Sequence, residues 1–285
     1  MRIYNVAGWL LMLAYALGCV YFAPPAMAPA IALLIGAAYF VGSWLIGGVY
    51  LSCVIHMGIA HRALDYQEWF IKAITIVNNT VGIYVNPMTW VNRHRLHHKF
   101  SDQPGDPNKL AADGFWRTLY LCLMPYKSQP DMMGDEIFKS WTFRIVSHPL
   151  YSVAAQLISF GVLWLLVRDL RFAAAMWIGM RIFALWINMI QNYWTHDRRY
   201  GYRRYHDEHD NAMNIGEWLP VTATFSACLQ NNHHHSPGFL RLSHEEWEYD
   251  LGFIAVRVMK ALGLVRATPK GATLPKDVPL TSVGF

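Results

Sequence analysis

Four long apolar runs constrain what this chain can fold into more than any other feature of its sequence. They cover residues 5–23, 29–55, 149–167 and 172–191, and Arg181 is the only charged residue in any of them. A helix needs about 20 apolar residues to cross a bilayer, because the hydrocarbon core is about 30 Å thick and each helical residue advances about 1.5 Å. The sequence therefore predicts an all-α integral membrane protein with four transmembrane helices.

The first apolar run also has features of a cleaved signal peptide. Arg2 precedes it, and the Ala-Met-Ala sequence at residues 26–28 has the form of a cleavage site. However, the run is longer than a typical signal-peptide core, and Pro24 and Pro25 favour a tight turn into the second run. We therefore interpret the first run as a retained span.

The residues outside the four spans form two polar, basic segments and a tail. Segments 56–147 and 192–266 predict a helical cap, which together with the spans makes one domain over residues 1–266. Within the cap, residues 69–91 are apolar but interrupted by lysine, asparagine and proline, which is typical of an amphipathic interfacial segment and not of a fifth span. Residues 267–285 are predicted to be a loosely docked or disordered tail.

The distribution of lysine and arginine predicts the orientation of the spans. The two polar segments hold most of the basic residues, whereas the turn at 24–28 has no charge and the turn at 168–171 has two arginines. By the positive-inside rule, the cap and both termini face the cytoplasm. The predicted localisation is an integral protein of a bacterial inner membrane, with its active site on the cytoplasmic side.

Composition argues against several other classes of protein. The net charge of +5 is modest, and the basic residues form no stripe interleaved with aromatics, so nucleic-acid binding is not expected. The basic residues are better suited to anionic lipid headgroups or to an acidic partner protein. The 4 cysteines are scattered without a Cys-x-x-Cys pair, which argues against both a disulfide framework and a thiolate metal site.

The 13 histidines are clustered, and the densest group lies in the segment WVNRHRLHHKF. Here His94, His97 and His98 have the spacing i, i+3 and i+4, which places three imidazoles on one face of a helix. His97 and His98 point about 100° apart around the axis, so they can bind two neighbouring ions. A chance basic run is the alternative, but protonated imidazoles beside Arg93 and Arg95 would repel one another, whereas metal-bound imidazoles are neutral.

Three further histidine groups lie on the same predicted side of the membrane. His56 and His61 follow the second span, His196 lies four residues after Asn192 at the end of the fourth, and the last group is in QNNHHHSP at 230–237. Each alone is more typical of a packed or headgroup-facing histidine. Eight imidazoles, however, exceed what one tetrahedral zinc ion can bind, and they suit two redox-active iron ions with positions left open for dioxygen. The predicted ligands are His56, His61, His94, His97, His98, His196, His233 and His234.

These motifs resemble those of the membrane fatty acid desaturases, in particular the stearoyl-CoA desaturase branch. HRLHHKFSDQPGDPN is similar to the second histidine box of that family, HMGIAHR to the first and QNNHHHSP to the third. NYWTH at 192–196, GYRRY at 201–205 and EEWEYD at 245–250 resemble segments that accompany the boxes. The resemblance covers roughly residues 50–265.

The resemblance implies an O2-dependent desaturase that introduces a double bond into a fatty acyl chain carried by CoA, acyl-carrier protein or a lipid. Its cofactors are expected to be two iron ions, with dioxygen as co-substrate. No side-chain acid or base can ionise unactivated methylene carbons, so a metal oxidant is required. The sequence contains no segment that resembles a fused haem or iron–sulfur domain. Electrons are therefore expected from a separate ferredoxin, rubredoxin or cytochrome b5-type donor with its reductase.

The third box departs from the family pattern. Gln230 stands where most members of this branch have histidine, and it is expected, like Asn192, to act through a water molecule or a hydrogen bond to a ligand. His235 is an additional imidazole, so a register in which His234 and His235 are the ligands stays open beside the register with His233 and His234. The acidic residue that usually precedes this box is absent from FSACL.

Two further features bear on the substrate. Asn92 and Arg93 replace an Arg-Asp pair that the acyl-CoA branch uses near its thioester substrate, and this difference argues against CoA as the carrier. Arg181 lies near the middle of the fourth span, where a charge is costly. It is expected either to bond to groups on neighbouring helices or to bound the blind end of an apolar acyl tunnel that enters the bundle from the cytoplasmic side.

The main alternative function is that of a diiron hydroxylase or other oxygenase acting on an alkane, sterol, sphingolipid or carotenoid, with the same ligands. The Glu-His-Tyr-Gly element of alkane hydroxylases is absent. A transporter or a metal-storage membrane protein is a further alternative. Transporters place their polar sites near the bilayer midplane, whereas these histidines lie beyond the ends of the predicted spans. The sequence therefore favours the desaturase.

Overall fold

A computed structural model describes residues 2–108, 113–124 and 134–267. The tail predicted for 267–285 lies outside these residues except for Ala267. Within them the regular structure is helical, apart from an antiparallel pair of strands, β1 (Asp65–Tyr66) and β2 (Val265–Ala267). The α-helices are α1 (Ile3–Tyr21), α2 (Pro29–Gly48), α3 (Glu68–Val81), α4 (Pro87–Phe100), α5 (Phe115–Leu123), α6 (Trp141–Val146), α7 (Pro149–Val167), α8 (Leu170–Asn192), α9 (Trp218–Ala223), α10 (Gln230–His235) and α11 (Leu251–Ala261).

Four helices of the described residues are long and apolar enough to cross a membrane, which agrees with the predicted number. The first and third are α1 and α7. The second extends to Ala60 and the fourth to His196, beyond the predicted ends of these two spans. Large apolar side chains face outward from the bundle, for example Leu17 of α1 and Leu157 of α7, which are 60% and 68% exposed. Such a surface suits contact with lipid.

Helix α8 is the centre of the bundle, because both α1 and α7 pack along it. Gly8 of α1 approaches the Trp186 ring, and the indole N–H of Trp186 donates to the Tyr4 carbonyl at 2.9 Å. The turn from α7 to α8 contains Arg168 at a positive φ of 57°, and Asp169 caps α8 with its side chain. The start of α7 and the end of α8 therefore lie at the same end of the bundle.

The second span changes its helical form near its end. Residues Val49–Ala60 form a π-helix, in which each N–H donates to the carbonyl five residues earlier. His61 closes this helix by donating its backbone N–H to the His56 carbonyl at 3.0 Å. On an α-helix the two side chains would lie about 140° apart, whereas the wider π-helix brings them to one face. The π-helix thus explains how two histidines five residues apart reach the same site.

The segment 69–91 is divided between two helices. Helix α3 is amphipathic: it buries Asn79 on one side and exposes Trp69 on the other, and it is not among the four span helices. The chain then bends, and Asn86 caps α4 by accepting the N–H of Thr89 at 3.0 Å. Pro87 occupies the first turn, where its missing N–H is not needed. These signals place the start of the histidine-bearing helix.

The cap is built around the π-helix. Helices α4 and α11 pack against it, and their shared core joins Tyr50 of the π-helix to Val91 of α4 and Phe143 of α6. Phe225 enters the same core from the turn between α9 and α10, where its φ is +53°, and its ring fills the space beside Gly48. This packing brings the histidine-bearing elements to one place.

Candidate metal centre

Five histidines from three parts of the chain converge in one group. His56 and His61 come from the π-helix and its end, His94 and His98 from α4, and His233 from α10. One ring nitrogen of each lies within 4.8 Å of the others. The Nε2 atoms of His61 and His94 are 2.7 Å apart, and those of His56 and His233 are 2.9 Å apart. Five predicted ligands are therefore placed together.

The convergence of these nitrogens is suited to a cation and not to a hydrogen-bonded network. His233 Nε2 lies 2.9 Å from His56 Nε2 and 3.0 Å from His98 Nε2. Each ring nitrogen of a neutral imidazole either donates one proton or offers one lone pair, so His233 Nε2 cannot form two good hydrogen bonds with these neighbours at once. A metal ion accepts all of the lone pairs at once, and imidazole suits iron, copper and zinc. The residues of this group therefore fit a bound metal ion.

A second group contains the other three predicted ligands. The ring nitrogens of His97, His196 and His234 also lie within 4.8 Å of one another. They come from α4, from the 3₁₀ turn Trp194–His196 after α8, and from α10. The rings of His98 and His234, one from each group, have centroids 4.5 Å apart. The two groups are therefore close neighbours, as a pair of metal ions would require.

A carboxylate lies behind each histidine of the second group. A carboxylate that accepts from Nδ1–H leaves Nε2 unprotonated and strengthens it as a ligand. The three carboxylates also supply negative charge, which neutral imidazoles lack, close to where a cation would sit. The pairs are His97 Nδ1 with Asp106 at 2.8 Å, His196 Nδ1 with Asp102 at 3.2 Å, and His234 Nδ1 with Asp210 at 2.8 Å.

The loop after α4 is folded so that it presents two of these carboxylates. Asp102 has a positive φ of 56°, and Asp106 accepts the backbone N–H groups of Asp102 and Asn108 at 2.7 and 2.6 Å. Asp106 therefore closes the turn with the same carboxylate that meets His97. Asp102 in turn accepts the N–H of Asn211 at 2.9 Å, which ties this loop to the segment after the fourth span.

Burial favours the neutral form of the α4 imidazoles His94 and His97. Desolvation lowers the pKa of His97 to about 4, although the Asp106 carboxylate acts in the opposite direction. Desolvation and the neighbouring imidazoles hold the pKa of His94 well below 6.5. Burial alone would raise the pKa of Asp210, but its hydrogen bond with His234 lowers it below the ordinary value. At neutral pH His94 and His97 are thus neutral and Asp210 is ionised, which is the protonation state that metal binding requires.

Two asparagines fix α10, the helix that contributes to both groups. Asn231 accepts the N–H of Tyr205, in the GYRRY segment, at 2.8 Å. Asn232 donates its side-chain N–H to the Glu248 carboxylate, in the EEWEYD segment, at 2.9 Å. Motif segments that are far apart in the sequence therefore form one support for the third histidine box.

Gln230 and Asn192, predicted to act indirectly on the metal, form hydrogen bonds with neighbouring residues of their own segments. Gln230 is buried and donates its side-chain N–H to the Ala227 carbonyl at 2.7 Å. Asn192 donates to the backbone and side-chain oxygens of Asn188 at 2.9 and 2.8 Å. Their predicted roles through water stay predictions.

His235, the additional imidazole of the third box, is also outside both groups. It is exposed, and its ring stacks on Tyr205 with centroids 3.6 Å apart. His233 and His234, in contrast, each lie among converging ring nitrogens. The geometry thus favours the register with His233 and His234.

Arg181 bonds to neutral groups within the bundle. Its guanidinium donates to Gln156 Oε1 at 2.7 Å, to Ser159 Oγ at 3.1 Å and to the Trp177 carbonyl at 3.1 Å. It also lines a cavity of about 480 Å³ between α7, α8 and the chain that follows α3, next to Tyr84. These bonds match the structural role predicted for Arg181, and the cavity is what its alternative role at a tunnel end would need.

Asp102, Asp106 and Asp210 are candidate functional residues that the histidine motifs alone do not single out. The signal for the first two is their position, because they directly follow the clustered histidines in SDQPGD, where the chain turns back. Asp210 gives no such signal, since it lies 24 residues before His234 and meets it only through the fold.

Comparison with known proteins identifies a family whose sequence model covers the whole candidate metal centre. The family model described as fatty acid desaturase matches residues 36–246. This range contains the eight predicted ligands and the three carboxylates that hold the second group.

Several characterised proteins are similar to this chain over most of its length. An sn-1 stearoyl-lipid 9-desaturase from Anabaena variabilis is 26% identical over 229 residues, which cover 78% of this chain and 79% of that protein. An sn-2 palmitoyl-lipid 9-desaturase from Nostoc sp. (strain 36) is 24% identical over 250 residues, 81% of each protein. A hex-5-enoyl-[acyl-carrier protein] acetylenase from Moorena producens is 24% identical over 246 residues, 79% of this chain and 74% of that protein.

Proposed function

Because this chain belongs to the fatty acid desaturase family, we propose that it uses two iron ions and dioxygen to introduce a double bond into an acyl chain of a membrane lipid. Membership makes it an oxidoreductase that desaturates fatty acyl chains. The observation that carries the finer proposal is the convergence of eight imidazoles in two adjoining groups. Two iron ions would supply, with dioxygen, the oxidant needed to remove hydrogen from unactivated methylene carbons.

The number and type of ligands favour iron over zinc. Structural zinc takes four ligands in a tetrahedron, and catalytic zinc takes three ligands and a water molecule. The first histidine group alone offers five imidazoles, which exceeds that requirement. The second group offers three, backed by carboxylates, and so leaves coordination positions open.

The protein's own residues hold the ligands in place. Trp90 stacks on the His94 ring, with centroids 4.8 Å apart and an angle of 13°, and this contact restricts rotation of the imidazole. Asp106 holds the proton of His97 at Nδ1 and leaves Nε2 available to a metal. Tyr50 and Phe225, both buried, belong to the apolar core around the π-helix and help to exclude water from this side of the site.

Two features favour a lipid over acyl-CoA as the carrier of the acyl chain. Asn92 is fully buried, and Arg93 bonds to Asn108 and to the Pro107 carbonyl, so the Arg93 side chain is occupied in supporting the loop after α4. Two of the relatives are named for stearoyl-lipid and palmitoyl-lipid substrates. The acetylenase is named for a substrate on acyl-carrier protein, so product analysis must separate these two carriers.

We further propose that the histidine-bearing end faces the cytoplasm of a bacterial inner membrane. The two polar segments that flank the spans at this end carry most of the lysine and arginine, as the positive-inside rule requires. Electrons would arrive there from a separate ferredoxin, rubredoxin or cytochrome b5-type donor with its reductase. Exposed basic side chains such as Arg198 would steer an acidic donor toward the site.

The test is to express the chain in a host that lacks desaturases and to analyse the purified protein and the host lipids together. We expect about two irons per chain and a new unsaturated acyl chain in membrane lipids. His94→Ala and His98→Ala should lose iron and product while the protein still accumulates, because each removes a ring from the five-histidine group. His235→Ala is the matched control and should retain both.

Each part of the proposal has an outcome that contradicts it. One tightly bound zinc and no iron in aerobically purified protein would refute the diiron site. A new double bond confined to acyl-carrier-protein thioesters would refute the lipid carrier. A hydroxylated product in place of an unsaturated one would show that the site acts as an oxygenase.

A further inference from the structure

The corner between α6 and α7 carries a groove that is separate from the histidine groups. A cavity of about 610 Å³ is lined there by Trp141, Arg144, Ile145, His148, Leu150 and Tyr151. The corner is where the third span begins, and since α7 and α8 run in opposite directions, it lies at the same end of the bundle as His196. The groove therefore lies at the depth of the membrane interface on the histidine side.

The polar side of the groove is cationic and offers hydrogen-bond donors. Arg144 is exposed, and within the described ranges no bond or ion pair engages its guanidinium. His148 caps α7 by accepting the N–H of Leu150 at its Nδ1, with a distance of 3.2 Å. This bond places the proton of a neutral His148 on Nε2, so the ring also presents a donor outward. Both groups suit a phosphate oxygen.

The other side of the groove is apolar and firmly held. Leu150 and Trp141 are 74% and 68% exposed, which suits side chains that contact lipid. The Tyr151 hydroxyl is hydrogen-bonded to the Thr80 hydroxyl at 2.6 Å, which ties α7 to α3. A soluble anion would use only the donors of this groove, whereas an amphiphile would use both sides.

We propose that this groove binds an anionic glycerophospholipid of the leaflet on the histidine side. Arg144 pairs with the phosphate, the Nε2–H of His148 donates to a phosphate oxygen, and the first acyl carbons contact Leu150 and Trp141. Tryptophan is enriched at this depth because its ring is apolar and its N–H is polar. The site is a lipid-binding site distinct from the metal ligands: α6 lies between them, with Phe143 packed in the core that contains Val91 of α4.

Binding is tested on the full chain, purified in a nonionic detergent, stripped of lipid, and measured both with and without metal. The probes are dioleoylphosphatidylglycerol, dioleoylglycerol, which lacks the phosphate, and inorganic phosphate, with bound lipid counted by native mass spectrometry. We expect saturable binding of the phospholipid and about 10-fold weaker binding of dioleoylglycerol. Arg144→Gln should weaken phospholipid binding about 10-fold and leave dioleoylglycerol binding unchanged. Arg171→Gln is the matched control, because Arg171 is exposed at the opposite end of the same helical hairpin.

Three results would overturn the proposal. An equal loss in Arg171→Gln would mean that surface charge in general attracts the lipid. Equal binding of phospholipid and dioleoylglycerol would mean that the groove recognises only acyl chains. Competition by inorganic phosphate at the same free concentration would mean that it is a simple anion site. Because lipid is counted on metal-free protein as well, none of these results depends on whether the chain is a desaturase.

Discussion

Single residues make the two histidine groups unequal. Within the described part of the chain, a carboxylate is bonded to every ring of the three-histidine group and to no ring of the five-histidine group. A carboxylate fixes the tautomer of an imidazole and raises its basicity. At the smaller group a bound metal would therefore depend on these acids, whereas at the larger group it would depend on the number of rings.

Asp210→Asn tests this dependence. The amide retains an oxygen for the Ala212 N–H but turns an N–H toward His234 Nδ1, which shifts the imidazole proton to Nε2 and blocks that ligand. We expect metal affinity at the smaller group to fall about 10- to 100-fold, so that iron drops from about two to about one per chain. Asp207→Asn is the control, because Asp207 is exposed in the same segment. Retention of both irons in Asp210→Asn would show that the carboxylate is dispensable.

Arg181→Leu separates the two roles predicted for this residue. Its hydrogen bonds to Gln156 and Ser159 predict a structural role. The change should therefore lower the free energy of unfolding by about 1–3 kcal/mol, because these partners are left unpaired, and the melting temperature should fall with it. Iron content and the chain length of the product should not change. Gln156→Leu, which removes the main partner, should have a similar effect. A shift in product chain length at constant iron content would instead assign the cavity beside Arg181 to the acyl tunnel.

At the scale of elements, the sequence predicts what depends on local pattern and misses what depends on hydrogen-bond register. The spans follow from hydropathy, and the face of α4 with His94, His97 and His98 follows from their spacing. The π-helix does not, because His56 and His61 are spaced for opposite sides of an α-helix and only the packing of the cap selects the wider turn. The carboxylate of Asp210 is missed for a different reason, because its partner comes from a distant segment and meets it only in the folded chain.

Gly48→Ala tests whether the π-helix is held in register by its packing. A Cβ at Gly48, where the helix changes form, would collide with the ring of Phe225, whose backbone already has a positive φ of 53°. We expect a loss of about 1–3 kcal/mol in unfolding free energy and reduced iron content, because the shift reaches His56 and His61. Gly42→Ala on the same helix places the new Cβ more than 4 Å from every described atom outside its own stretch of helix and should be harmless. Equal melting temperatures and iron contents for the two variants would contradict this account.

At the scale of the whole molecule, burial of the site would couple metal binding to folding. The imidazoles meet only in the folded chain, and His56 and His233 are 177 residues apart in the sequence. In the unfolded chain each imidazole is solvated and free to take up a proton, whereas in the folded chain the desolvated ring resists protonation. Below pH 6.5 a residue such as His97 therefore binds more protons in the unfolded state than in the folded state, so its contribution to stability falls as the pH falls.

We predict that the metal-free protein loses stability between pH 7 and pH 5. Burial lowers the pKa of His97 from 6.5 to about 4. The free energy of unfolding that this residue contributes therefore begins to fall near pH 6.5, is lower by about 2 kcal/mol at pH 5, and levels off below pH 4. Melting temperatures followed by tryptophan fluorescence at the two pH values measure the change. His97→Gln cannot take up this proton and should show a smaller decrease, whereas His235→Gln, at an exposed ring, should keep the full decrease. If all three proteins lose the same stability, the pH dependence arises elsewhere in the chain, because removing one buried imidazole must remove its share of the proton uptake.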